Sequence, residues 1–523
     1  MDLFIKIAML VIFFGVMIFI GFKCRKNAVD VNGFVLGGRN VGSWLTAFAF
    51  GTSYFSAVVF VGYAGQFGWK YGIAATWAGI ANAILGTLVA WGVLGRRTRV
   101  MTQHLHSATM PQFFESRFDN KSLKIVSSVI IFVFLIPYTA SLYNGLSRLF
   151  AMAFNIPYAV CVLAMAVLTA VYVIAGGYMA TAINDFIQGF IMLFGICAVI
   201  VAVLKANGGF MASLDGLANI TDTTVSDTPG VFASFFGPDP VNLLGVMLLT
   251  SLGTWGLPQM MQKFYAIKSE SAIKKGMIIS TLFAVVVSGG CYFLGGFGRM
   301  FSDKLDVVDG VPAGGYDSII PTMLSGLPSI LIAIVVVLVL SASMSTLSSL
   351  VLVSSSTLTL DLLKNVRKEK MTEKRQLITM RLLIVVFIAI SVVIAIKQYS
   401  SGSAFIAQLM GVSWGALAGS FLAPFLFGLY WKRTTAAACW VSFLFSSVVM
   451  VLNIFLRDYF PTLLQSPINC GAFCMIAGLV IVPVVSLLTK APKKEYVDGI
   501  FESYHRKITV NASTSLEELD PDE

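Results

Sequence analysis

The chain has 523 residues, 57% of them hydrophobic and 12% charged, with 36 Lys+Arg against 26 Asp+Glu. A mean hydropathy of +0.84 excludes an ordinary soluble enzyme, and the repeated apolar runs of about 20 residues are long enough to cross a bilayer. The net charge of +10 does not imply a nucleic-acid partner, because the basic residues are spread between the apolar runs instead of forming one patch.

In chain order, the first run is Leu3 to Phe22. It stands where a signal peptide would, but it is too long and has no small-residue cleavage site, so it reads as a span. About thirteen spans follow from hydropathy, at 3–22, 43–67, 71–95, 122–151, 157–176, 182–204, 240–262, 276–299, 328–362, 376–397, 403–430, 434–456 and 468–489. The fold class is therefore all-α and polytopic. Lys and Arg collect on alternate loops, for example Arg96, Arg97 and Arg99, then Lys364, Arg367, Lys368 and Lys370, then Lys490, Lys493 and Lys494. Positive-inside asymmetry makes these loops cytoplasmic. It places the N-terminus outside and the C-terminus inside a plasma (inner) membrane. The loop carrying Asp303, Asp306 and Asp309 falls outside, and the polar tail from 490, ending in Glu517, Glu518, Asp520, Asp522 and Glu523, carries no recognisable domain.

Two spans are interrupted by small and hydroxyl residues. The second contains Gly51, Thr52, Ser53 and Ser56, and the seventh contains Gly253, Gly256 and Pro258. They open two five-span blocks, 42–204 and 240–433, which an odd span count per block would place in opposite orientations. Residues 1–41 precede the blocks, 205–239 join them as an outer loop, 434–489 add two spans, and 490–523 form the tail. Interrupted helices at corresponding places in two halves point to a central transport site, where unpaired backbone carbonyls line a cavity. In the ninth span Ser345 and Thr346 lie among Leu, Val and Ile. Hydroxyls at membrane depth need partners, and hydroxyl and carbonyl oxygens are what a hard monovalent cation takes. Adjacent residues diverge by about 100° on a helix, so both can meet one ion only at the edge between them, against an opened partner helix. The competing reading is back-bonding to the preceding turn.

Other positions carry less. The seven cysteines (Cys24, Cys161, Cys197, Cys291, Cys439, Cys470 and Cys474) show no metal spacing, and Cys470 and Cys474, one turn apart, read as small packing residues. His104, His106 and His505 fall in cytoplasmic segments. No nucleophile–base pair or metal set appears among the spans, so the chain does not read as an enzyme, and a tail this short leaves no room for a signalling kinase.

Several motifs together are similar to the sodium:solute symporter family, over roughly residues 5 to 490. They are FVLGGR from Phe34 to Arg39, Gly176-Gly177, Asn184-Asp185 with Gln188-Gly189, Gly256-Leu257-Pro258 leading to Lys263-Phe264, Ala342 with Met344-Ser345-Thr346, and GLYWKR from Gly428 to Arg433. The resemblance implies an inverted-repeat transporter of the LeuT type, with extra helices at the ends. It implies a co-transported sodium ion held by the carbonyls of Thr52, Phe55 and Ala342 and the hydroxyls of Ser345 and Thr346. Asp185 would lie on the sodium release path. The substrate pocket would draw on Tyr54, Ser56, Tyr138, Tyr143, Thr254, Trp255, Pro258 and Gln408. The expected partners are a small organic solute, sodium and the bilayer, with no organic cofactor, no nucleic acid, and function as a monomer. The stretch TSYFS from Thr52 to Ser56 and the segment from Gly296 through Gly298-Arg299 lean to the pantothenate and monocarboxylate branch. Tyr54 stands where the proline branch carries an acid, and proline is the alternative.

Overall fold

In the computed structural model the described residues are 2–154, 157–308, 310–364, 371–401 and 406–505. Asp309, Arg367, Lys368, Lys370 and the acidic tail lie outside them. Long apolar sequences without water to bond their backbone close every amide within a helix, and the chain is accordingly helical. The β structure among the described residues is a two-residue antiparallel ladder in the acidic loop, with Val307 opposite Pro312 and Val308 opposite Val311, and two isolated bridges, Val41 with Ile267 and Asp222 with Ser226. The main helices are α1 Asp2–Lys23, α2 Ser43–Tyr54, α3 Val58–His104, α4 Lys121–Phe154, α5 Tyr158–Ala206, α6 Pro240–Gly256, α7 Pro258–Ala266, α8 Glu270–Gly295, α9 Ser329–Thr357, α10 Glu373–Ser401, α11 Ile406–Tyr430, α12 Ala436–Phe455 and α13 Pro467–Leu488.

Ten helices among the described residues are long and apolar enough to span, or eleven when the bent pair α6–α7 counts as one. Two of the ten, α3 with 47 residues and α5 with 49, would measure about 70 Å at 1.5 Å per residue, twice a hydrocarbon core. Each is broken at a glycine with positive φ. Gly72 has φ +62° and lies against the backbone of Phe232, and Gly177 has φ +54° against Phe34. A side chain at either position would be strained and would meet backbone. Divided at these glycines, α3 and α5 each give two shorter segments, while the long apolar helices number ten or eleven against the thirteen spans expected.

Burial separates an inner core from a lipid-facing shell. In α11, 89% of the residues in the apolar window are buried, and in α9 78%, against 28% in α1 and 39% in α12 and α13. The two enclosed helices are those that carry Ser345, Thr346 and Trp414. Where no hydrophobic drive distinguishes lipid from protein, small residues let helices approach closely. Gly411, Gly415 and Gly419 repeat at four-residue intervals along α11 and face α13. A methyl at Gly415 would sit 2.6 Å from the Gly471 Cα, and one at Gly419 would sit 2.9 Å from the Cys474 Cβ. Cys474 is thus a packing residue, all seven cysteines are free, and among the described residues no group of His, Cys, Asp or Glu could hold a metal.

Candidate functional site: an oxygen cage at an interrupted helix

The helix α2 stops at Tyr54, and Phe55 turns extended (φ −92°, ψ 107°). The chain re-enters a helix at Val58, whose N–H donates to Ser56 Oγ at 3.2 Å. A helix end leaves its last carbonyls without donors, and here that end lies inside the core rather than in water. Across from it, Ser345 Oγ and Thr346 Oγ1 each stand 3.1 Å from the Thr52 carbonyl and 3.1 Å from the Ala342 carbonyl. Two carbonyls and two hydroxyls, all fully buried, therefore converge. The 100° divergence between neighbouring residues is met because the Thr52 carbonyl lies at the edge between them. Back-bonding to Ala342 is present as well and belongs to the same geometry. Thr52 uses its own hydroxyl elsewhere, donating to Phe48 O at 2.9 Å, so its contribution to the cage is its carbonyl. Phe55, 1% exposed, forms the break.

The second interruption separates α6 from α7 at Leu257 with a bend of 46°. Pro258 cannot donate to the preceding turn, and Gly256 lies where a Cβ would be 2.7 Å from Ala418 Cα and 2.9 Å from Leu422 N of α11. Gly253 lies in the same way against the ring of Trp414.

The residues expected to line the solute pocket divide by position. Tyr138 on α4 meets Trp414 edge-on at 5.9 Å beside this second break, and Tyr54 reaches Thr87 at 3.3 Å. Tyr143 is buried on α4. Ser56 caps the re-entering helix, and Pro258 starts α7. Thr254 and Trp255 instead bond to α3, donating to Gly86 O at 2.7 Å and Leu85 O at 2.9 Å, which ties α6 to its neighbour. Gln408 is half-buried near the start of α11. Two residues not singled out from the sequence join this region, Trp414 and Gln259. Gln259 is wholly buried, and neither its amide oxygen nor its nitrogen has a hydrogen-bond partner among the described residues. Buried polar atoms without partners are rare in packed protein. The legible signal was Gln259's place directly after Pro258.

Asp185 lies fully buried in the second half of α5. Its nearest cation is Lys263 on α7, with Nζ 3.8 Å from Oδ2, and Lys263 is itself 1% exposed. Lys263 Nζ donates to Ser349 Oγ at 3.1 Å, and Ser349 Oγ lies 2.9 Å from Ser53 Oγ. The carboxylate therefore has its partner within the core and not on a loop. Lys263 appeared in the sequence only as part of a motif, because nothing in local spacing shows that α7 turns it inward.

One end of both interrupted helices is closed. Val41 N–H donates to Ala266 O at 3.2 Å and Lys268 N–H to Val41 O at 3.0 Å, while Arg39 Nη2 donates to Ser107 O at 2.6 Å and Arg99 Nε to Ile267 O at 2.5 Å. At the opposite end a cavity of about 600 Å³ opens among Gln66, Lys70, Asp239, Asn242, Arg299 and Asn469. There Arg299 donates to Trp69 O at 2.5 Å and to Asp222 at 2.8 Å, and stacks on Phe232 at 3.9 Å. The Gly296 to Arg299 segment is thus occupied in holding the loop between α5 and α6 against α3.

Known proteins agree with this architecture. The Osmoregulated proline transporter OpuE of Bacillus subtilis (strain 168) is 27% identical over 92% of this chain and 94% of its own length. A Sodium/proline symporter of Staphylococcus aureus (strain JH9) is 31% identical over 92% and 93%. Among solved structures, a Na+-coupled sialic acid symporter in a substrate-bound outward-open state superposes with a TM-score of 0.69, covering 94% of this chain and 99% of that one at 17% identity. This superposition identifies the LeuT-type fold. The family description "Sodium:solute symporter family" matches residues 34–445, and the chain belongs to that family.

Proposed function

We propose that this sodium-coupled symporter imports a proline-like amino acid by alternating access, with sodium at the cage of Thr52, Phe55, Ala342, Ser345 and Thr346. The observation that carries the ion site is the convergence of two carbonyls and two hydroxyls at the α2 break. An ion there bridges α2 to α9 and favours one arrangement of the two, which is what coupling requires, and the coupling is reciprocal. The solute region lies among Tyr54, Tyr138, Gln259 and Trp414, where the start of α7 presents the positive end of its dipole to a carboxylate.

The relatives named as proline transporters support the amino-acid alternative over a pantothenate or monocarboxylate substrate, and Arg299 is engaged by Trp69 and Asp222. Tyr54, in place of the acid of the proline branch, is bonded to Thr87, so the solute's ammonium group needs another partner.

The basic loops support an orientation with the closed Val41 end in the cytoplasm and the 600 Å³ cavity outside. Sodium leaving the cage inward passes toward Asp185, and a membrane potential adds about 2.3 kcal/mol per charge per 100 mV. The test is uptake into proteoliposomes under an inward sodium gradient, comparing labelled proline, pantothenate, lactate and acetate. Sodium-driven accumulation of proline is expected. Accumulation of a monocarboxylate instead, or of proline at equal rates without sodium, overturns the reading.

A further inference from the structure

Beyond α13 the chain packs back onto the closed Val41 end. A short helix, α14 Lys494–Glu502, buries Val497, Ile500 and Phe501 at helical spacing and leaves Lys494, Glu495 and Glu502 exposed. Nine residues are too few to hold a helix in water, so docking is what keeps it folded. It reaches two partners at once. On the α11 side, Lys432 Nζ lies 2.6 Å from Asp498 Oδ1, and Phe501 meets Arg117, which donates to Gly428 O at 2.8 Å and Trp431 O at 3.2 Å. On the α3 side, Tyr504 donates to Leu429 O at 3.0 Å, and its ring lies 4.7 Å from the Arg97 guanidinium. Arg97 also stacks on Tyr430 at 4.0 Å and donates to Leu429 O at 3.1 Å. Arg97 and Arg99 are two residues apart, about 200° round the same helix. Arg97 therefore faces α11 and α14, while Arg99 grips Ile267 O just beyond α7.

We propose that α14 is a latch on the closed end, docked while that end is shut and released when α7 swings away. Opening there means parting Ala266 and Ile267 from Val41 and from Arg99. Arg99 holds Ile267 only while the last turns of α3 stay in place, and α14 pins those turns to the end of α11. The contact is built for reversible docking. It consists of one short apolar face, an ion pair whose partners are 58% and 38% exposed, and one tyrosine against an arginine, each weak alone. Tyr504 is a positioning residue, since it touches the ends of α3 and α11 and neither the cage nor the solute region. This inference rests on the alternating-access reading, and the experiment separates the two.

The experiment measures how fast N-ethylmaleimide reacts with a single cysteine in the purified full-length chain in detergent, without sodium or solute. The seven native cysteines are replaced by alanine. Ile267→Cys reports on the closed end, and Val246→Cys, which lines the 600 Å³ cavity, reports on the opposite end. Tyr504→Ala removes one hydrogen bond and one cation–π contact, so it is expected to speed the reaction at Ile267→Cys roughly tenfold and to slow it at Val246→Cys. Tyr504→Phe keeps the ring over Arg97 and is expected to fall between Tyr504→Ala and wild type. Asp498→Lys sets two lysines against each other and is expected to act in the same direction, with Lys432→Asp/Asp498→Lys restoring the wild-type rate. A Tyr504→Ala rate at Ile267→Cys within about twofold of wild type overturns the latch. So does a faster reaction at both reporters, which is what general loosening would give. Should Tyr504→Ala fail to fold, Asp498→Lys decides by the same two criteria. Adding sodium to the chain with α14 intact is expected to slow the reaction at Ile267→Cys. If sodium has no effect, the cage reading fails, and the sodium-free comparison still decides the latch.

Discussion

Removing one hydroxyl from the cage tests the ion site most directly. Ser345→Ala deletes an oxygen that stands 3.1 Å from the Thr52 and Ala342 carbonyls. Thr346 Oγ1 still donates to both carbonyls at the same distance, so neither acceptor is orphaned and the stability cost stays near that of one neutral hydrogen bond, about 1 kcal/mol. Binding of the ion loses more. A hydroxyl facing a charged partner contributes about 1.5–3 kcal/mol, which at about 1.4 kcal/mol per decade raises the half-saturating sodium concentration roughly 10- to 150-fold. Thr346→Ser keeps the oxygen and stays within about threefold of wild type on the same scale. The assay is initial uptake of labelled proline into proteoliposomes over a sodium titration, with protein amount and thermal stability checked in parallel. If Ser345→Ala and Thr346→Ala both titrate within threefold of wild type, the cage does not hold the coupling ion and the argument from geometry fails.

Two further perturbations probe what holds the site in place. Gly256→Ala puts a methyl 2.7 Å from Ala418 Cα and 2.9 Å from Leu422 N, backbone atoms that cannot swing away; a cost of about 1–3 kcal/mol is expected, seen as a lower Tm together with impaired uptake. A Tm equal to wild type would show that the α6–α11 contact is looser than described. In the loop between α5 and α6, burial alone would raise the Asp222 carboxyl, but hydrogen bonds from Thr224 and the Arg299 guanidinium outweigh it and hold the group below its ordinary value. A depressed carboxylate contributes stability that is present above its unfolded pKa, about 3.9, and is lost as pH falls through the folded value. The Tm difference between wild type and Asp222→Asn is therefore expected to be flat from about pH 5 to pH 8 and to shrink below about pH 4; a difference that changes between pH 6 and pH 8 would refute the assignment.

Hydropathy was sufficient for the membrane class and the all-α fold, because a bilayer demands apolar runs of a definite length and closed backbone bonding whatever the tertiary contacts. The interruptions at Thr52–Ser56 and Gly256–Pro258 were legible for the same reason, since small and imino residues mark where a helix cannot continue. Ser345 and Thr346 stood out as hydroxyls in an apolar run. Which partners these groups find depends on residues far away in the chain. Thr52 meets Ser345 across 293 positions, and Lys263 reaches Ser349 and Asp185 only because the 46° bend after Gly256 turns α7 into the core. Thr254 and Trp255 share a helix with Gly253, yet they bond to α3 while Gly253 meets Trp414. Local sequence determines where a helix breaks; only packing determines which side of the break faces the solute, which faces the ion, and which faces another helix.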